Sequence, residues 1–115
     1  MKDRYFVLDG KEVVPVDDVL TWARWFEQHP DRRVAQTTIG GDILVSTVFL
    51  GLNHAWSPGP PLLFETMVFN LPEADDITAR YSTWAEAEAG HQAAVAVVRD
   101  ILRGIDDSLR PAPPA

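Results

Sequence analysis

Two histidines and a carboxylate, His54, Glu65 and His91, are the side chains of this 115-residue chain whose types could hold a metal ion. Two imidazoles with one carboxylate suit a divalent transition metal, and the first two residues fall near neighbouring strand ends with the third on a covering helix. No close ligand spacing such as His-Glu-x-x-His accompanies them. The pattern therefore argues for a core histidine satisfied by Glu65 or a backbone carbonyl, and no metal or other cofactor is expected. A nucleophilic triad drawn from Ser46, Ser57 or Ser82 with either histidine has no support beyond coincidence in a chain of this length. Glu86 and Glu88 lie too near a helix surface to act as paired glycosidase-type carboxylates. No phosphate-cradling glycine loop and no Gly-x-Ser-x-Gly elbow occurs, so the chain is not expected to be an enzyme.

The same region suits non-catalytic binding of a planar, polar ligand better. Trp56, Tyr81 and Trp84 offer stacking faces, Asn53 and Thr66 offer hydrogen-bonding groups, Arg80 offers a charge for a phosphate, and His54 offers a polar edge. Glu65 and His91 complete this candidate ligand-binding set. Each has a plain structural alternative: Trp84 as a helix anchor on the core, and Trp56 as packing under Pro58 or Pro60.

The elements that must position these groups follow from periodicity and punctuation. Asp9-Gly10 is a two-residue turn between Tyr5 to Leu8 and Lys11 to Val16, where Pro15 forces an edge position or a strand end. Asp17 or Asp18 caps a helix with Val19, Trp22, Ala23 and Phe26 on its apolar face, stopped by Pro30. Arg33 to Ile39 and Ile43 to Leu50, rich in β-branched residues, flank Gly40-Gly41 as a second hairpin. Both faces of the longer arm are mostly apolar, which predicts a central strand covered on two sides.

Gly51 to Pro61, with two glycines and three prolines, reads as a long ordered connection. Leu62 to Phe69 is the next strand, in which Glu65 is anomalous because an unpaired buried carboxylate is costly. After an acidic loop from Pro72 to Asp76, Thr83-Trp-Ala-Glu86 forms a capping box. The helix it opens carries Trp84, Ala87, His91, Ala94, Val98 and Ile101 on one stripe and is expected to end near Leu102 to Gly104. The expected fold is α+β: an antiparallel sheet of about five strands and two helices, the C-terminal one packed on the sheet. Residues 1–109 read as a single domain, and 110–115 as a flexible Pro-rich tail.

Composition bounds the function. Apolar residues at 46% and charged residues at 23% fit an ordered globular domain rather than a disordered chain. Seventeen acidic against ten basic side chains, a net charge of −7, oppose direct binding to nucleic acid or an anionic membrane. With no cysteine, no apolar leader and no run approaching a membrane span, a cytoplasmic protein is expected.

Three stretches, Val45-Ser-Thr-Val-Phe-Leu-Gly-Leu-Asn-His54, Gly59-Pro-Pro-Leu-Leu-Phe-Glu-Thr-Met-Val-Phe69 and Arg80-Tyr-Ser-Thr-Trp-Ala-Glu-Ala-Glu-Ala-Gly-His91, together resemble a family of small proteins encoded in bacteriophage and prophage genomes. Members often carry Asp at the position of Asn53, so no carboxylate role is carried over to it, and no catalytic motif comes with the resemblance. The resemblance implies a phage accessory protein that antagonises host immunity from within the bacterial cytoplasm. One expected mechanism is a sponge that sequesters a small nucleotide signalling molecule, commonly between protomers of a homo-oligomer. The alternative is an acidic, anti-CRISPR-like inhibitor that binds a basic host defence protein. The acids are scattered rather than arrayed, which favours the sponge. Arg80 is the only basic residue within the featured region, so Arg32, Arg33 or a second protomer would have to help hold an anionic ligand.

Overall fold

A computed structural model describes residues 4–55, 58–71 and 78–109, with backbone only over 105–109. The strands are β1 (Tyr5–Asp9), β2 (Glu12–Val16), β3 (Arg33–Ile39), β4 (Ile43–Phe49), β5 (Phe64–Phe69) and β6 (Thr78–Tyr81). The helices are α1 (Val19–Gln28) between β2 and β3, and α2 (Trp84–Leu109) after β6. The expected α+β class holds, but the strands divide into an antiparallel β1-β2 hairpin and a four-stranded antiparallel sheet in the order β3-β4-β5-β6. The short β6 was not expected and falls between the acidic loop read at Pro72 to Asp76 and the Thr83-Glu86 capping box; the acidic loop and the Pro-rich tail lie outside the described residues.

Local signals act largely as expected. The Asp18 carboxylate accepts from Leu20 N at 3.2 Å and Thr21 N at 3.3 Å, capping α1. Thr83 Oγ1 accepts from Glu86 N at 3.1 Å and donates to the Glu86 carboxylate at 3.0 Å, a variant of the expected capping box. α2 runs past Gly104 to Leu109, because Gly104 retains helical backbone there instead of stopping the helix.

α2 covers one face of the four-stranded sheet. Near its middle, Ala94, Val95, Val98, Ile101 and Leu102 pack on Ile39, Ile43, Val45, Val68 and Leu71. Toward its start, Ala87 and Trp84 join Phe6, Phe49, Leu63 and Phe64. The opposite face of the sheet has no helix over it among the described residues. Leu44, Ser46 and Val48 are only half-buried there, and the neighbouring Met67 and Phe69 are exposed. The expectation that β4 is covered on two sides is thus corrected: α1 packs on the β1-β2 hairpin instead of on that face.

The inward face of α1 also differs from the expected one. Trp22, Trp25 and Phe26 turn inward, while Val19 and Ala23 remain exposed, since the hairpin and the end of β4 favour contact with large rings. Gly51 makes this docking possible. Its carbonyl accepts from Phe6 N at 2.8 Å and from the Trp22 indole at 3.1 Å. Its φ is +76°, and a β-carbon there would overlap the Phe26 ring.

Gly51→Ala is expected to destabilise the fold by about 2–4 kcal/mol, combining left-handed backbone strain with overpacking. Chemical denaturation of the variant and the wild type measures it.

Candidate functional site

The residues singled out in the sequence do not converge. His91, on α2, is fully buried against the sheet, where Thr37 Oγ1 meets its Nε2 and Thr47 Oγ1 meets its Nδ1, each at 2.8 Å. Thr47 in turn bonds Thr66, its cross-strand partner. One imidazole nitrogen donates and the other accepts, and the hydroxyls rotate to match, so the ring is satisfied while neutral. Burial pushes its pKa below the ordinary 6.5. Its partners are two threonines rather than Glu65 or a backbone carbonyl, so His91 ties the helix to β3 and β4 through Thr37 and Thr47, with Thr66 backing Thr47 from β5.

Glu65 lies on the other face of the sheet, where its carboxylate accepts from Arg80 Nε at 2.9 Å across the β5-β6 pair. That ion pair resolves the anomaly of an acid in an apolar strand, and it also occupies the arginine proposed for a phosphate. His54 is half-buried after β4, and its backbone N–H donates to Leu62 O at 3.0 Å. His54, Glu65 and His91 therefore form no metal cluster, and no group of three potential ligands gathers among the described residues. Asn53 Oδ1 accepts from Ala55 N at 2.9 Å and Leu62 N at 3.1 Å, clamping the base of the long connection. Tyr81 lies against Gly90 so closely that a side chain at 90 would overlap its ring. Trp56 lies outside the described residues.

Of the predicted set, Trp84 lines a cleft among the described residues. At the first residue of α2, it faces a cleft of about 280 Å³ lined also by Leu8 and Gly10 of the first hairpin, Trp25 and His29 of α1 and its C-cap, and Asp31, Arg32 and Arg33. The walls are fixed by packing. Trp25 meets Phe49 edge-on at 5.8 Å, Phe49 meets Phe64 at 5.2 Å, and Phe64 meets Trp84 edge-on at 6.2 Å. His29 stacks on Trp25 at 4.4 Å with 16° between the rings, and its Nδ1 lies 2.8 Å from Trp25 O.

Positive charge gathers at this cleft in a protein that is acidic overall. Lys11 Nζ stands 5.8 Å from the centroid of the Trp84 ring. Arg32 lies over Phe26 at 4.2 Å and donates from Nη1 to the Phe26 carbonyl at 3.1 Å and the His29 carbonyl at 2.5 Å, closing the C-terminus of α1. Arg33 grips Asp31 through Nε at 2.8 Å and Nη2 at 3.0 Å. That fork holds the Asp31 pKa down to about 2, so at neutral pH it is a fixed negative charge that partly offsets the arginines. The Trp84 indole N–H is buried with no acceptor among the described residues, at a cost to the fold of about 1–3 kcal/mol.

Arg32 and Arg33, expected to assist an anionic ligand, do share the cleft with Trp84. Lys11, Trp25 and His29 were not foreseen as site residues. The available signal was Trp25 and His29 four apart on one helical face, next to a Pro-Asp-Arg-Arg turn.

Comparison with protein-family models, with curated proteins and with solved structures finds no match to this chain. Its class is defined by its own features: an α+β domain with an aromatic, locally basic cleft where two helices and a hairpin meet. No helix among the described residues is long and apolar enough to cross a membrane.

His91 supplies a pH test with a defined sign. Its folded pKa lies below 6.5, so the unfolded chain takes up a proton first as pH falls. The stability it contributes is present above 6.5 and is lost as pH drops below that value toward the folded pKa. Thermal melting just below pH 6.5 is expected to show a decline that His91→Gln flattens, while His91→Ala costs about 2–4 kcal/mol at neutral pH.

Proposed function

We propose that this protein binds and sequesters a small anionic ligand bearing a planar ring, of the nucleotide class, in the cleft between Trp25, His29 and Trp84. The carrying observation is the coincidence of two indole walls with Lys11, Arg32 and Arg33 in a protein whose net charge is −7. Stacking on an aromatic face contributes roughly 1–3 kcal/mol per base, and the local cations offset the −7 net charge that would repel a phosphate. The unpartnered Trp84 indole also offers a donor whose cost to the fold an accepting ligand would relieve after a small side-chain adjustment.

No arrangement of nucleophile, base and oxyanion donors accompanies the cleft among the described residues, so the proposed role is sequestration without chemistry. Joined to the resemblance to phage-encoded proteins, the reading is that of a phage accessory protein that depletes a nucleotide messenger of host immunity. On this reading Arg80, held by Glu65 on the far side of the sheet, takes no part.

Native mass spectrometry of protein purified from bacteria expressing defence-associated nucleotide cyclases is the decisive measurement. A nucleotide-sized mass on the wild type, lost from Lys11→Ala and Trp84→Leu but kept by Arg80→Ala, is the expected result. A clean unliganded mass across such cells overturns the proposal. The affinity measured with the captured nucleotide is expected to fall at least about tenfold in Trp84→Leu, equivalent to about 1.4 kcal/mol.

A further inference from the structure

The Trp25-Trp84 cleft is one of two cavities that meet at the same three residues. A second cavity, of about 560 Å³, is lined by Phe26, Pro30, Val48, Phe49 and Leu50, and it shares Asp31, Arg32 and Arg33 with the first. The segment from 31 to 33 therefore forms a basic partition with an aromatic recess on one side and a largely apolar recess on the other. At about 280 Å³ the first recess falls at the lower end of ligand pockets, which run from roughly 300 to 1,000 Å³. It has room for one ring system and little more.

From this arrangement, which rests on the nucleotide-binding reading above, we infer that the ligand is bipartite: two ring-bearing units joined by a phosphodiester, a dinucleotide rather than a mononucleotide. One base occupies the recess between Trp25, His29 and Trp84. The second enters the recess between Pro30, Val48 and Leu50, whose apolar lining suits a base without reading its edge. The linking phosphate crosses the partition at Arg32 and Arg33. The geometry of these arginines suits the task. Arg32 is engaged through Nη1 alone among the described residues, which leaves donors of its planar fork for an anion. Arg33 is oriented by Asp31 and by Gln36 Oε1 at 3.0 Å, so its charge is fixed in place. With Asp31 ionised, the partition carries a single net positive charge, matched to a monoanionic phosphodiester better than to a dianionic terminal phosphate.

Titration calorimetry comparing adenosine monophosphate with the dinucleoside monophosphate ApA tests this on the wild-type protein. ApA carries less negative charge than the mononucleotide, so tighter binding by ApA reports its second base. The expected result is at least about tenfold tighter binding of ApA, the lower end of what one further stacked or buried base contributes. Val48→Phe, which fills the second recess from a half-buried strand position, is expected to abolish that advantage while the variant melts cooperatively. Equal affinity of the wild type for the two compounds overturns the bipartite site and leaves a single cleft. Absence of binding by both overturns this inference together with the nucleotide reading beneath it.

Discussion

The contact between Phe49 at the end of β4 and Phe64 at the start of β5 is the constraint on which the rest of the structure depends. Both rings are almost fully buried, and each reaches outward to a different helix. Phe49 holds Trp25 and Phe26 of α1, and Phe64 holds Trp84 of α2. The two walls of the cleft are thus set by one cross-strand pair, and their spacing is a property of the sheet register. Because aromatic contacts of this kind contribute about 0.5–1.5 kcal/mol each beyond area burial, the chain of rings stabilises the assembly as well as aligning it.

A second constraint divides the core. Between the aliphatic packing of Val45, Val68, Val95 and Val98 and the aromatic packing of Phe49, Phe64 and Phe6 lies a polar line of half-buried Thr37 and buried His91, Thr47 and Thr66. Apolar contacts tolerate small slips of a helix over a sheet, whereas hydrogen bonds from one imidazole to two strands do not. His91 therefore fixes the register of α2, and with it the position of Trp84 seven residues earlier on the same face. Stability and site geometry share these residues, which is why a histidine that looks chemically available in the sequence is spent inside the fold.

Charge follows a similar logic. The protein is acidic overall, yet Arg32 before β3 and Arg33 at its first position fall side by side, and the first hairpin brings Lys11 to the Trp84 ring. Arg32 serves two ends, since its bonds to the last carbonyls of α1 offset the helix dipole while its charge stays at the cleft. The opposite face of the sheet uses its charges differently, with Arg80 consumed in holding Glu65.

Local chemistry was legible in the sequence wherever a short-range rule decides the outcome. The two hairpins, the Asp18 cap, the Thr83-Glu86 capping interaction and the stripe from Trp84 to Val98 all depend on neighbours within a few residues, though the first turn falls at Gly10-Lys11, one residue past the expected Asp9-Gly10, and the second loop at Gly40 to Asp42. The α+β class follows from them. Which polar residues meet was decided only by the tertiary structure. Thr37, Thr47 and His91 are separated by up to 54 positions, Glu65 needed the unforeseen β6 to supply Arg80, and Trp25 joined Trp84 only once Phe49 and Phe64 had paired. Periodicity reports which face of an element is apolar, but not which other face it meets. That meeting is set by sheet register and by the docking of α1 at Gly51, interactions between residues far apart in the chain that no local pattern encodes.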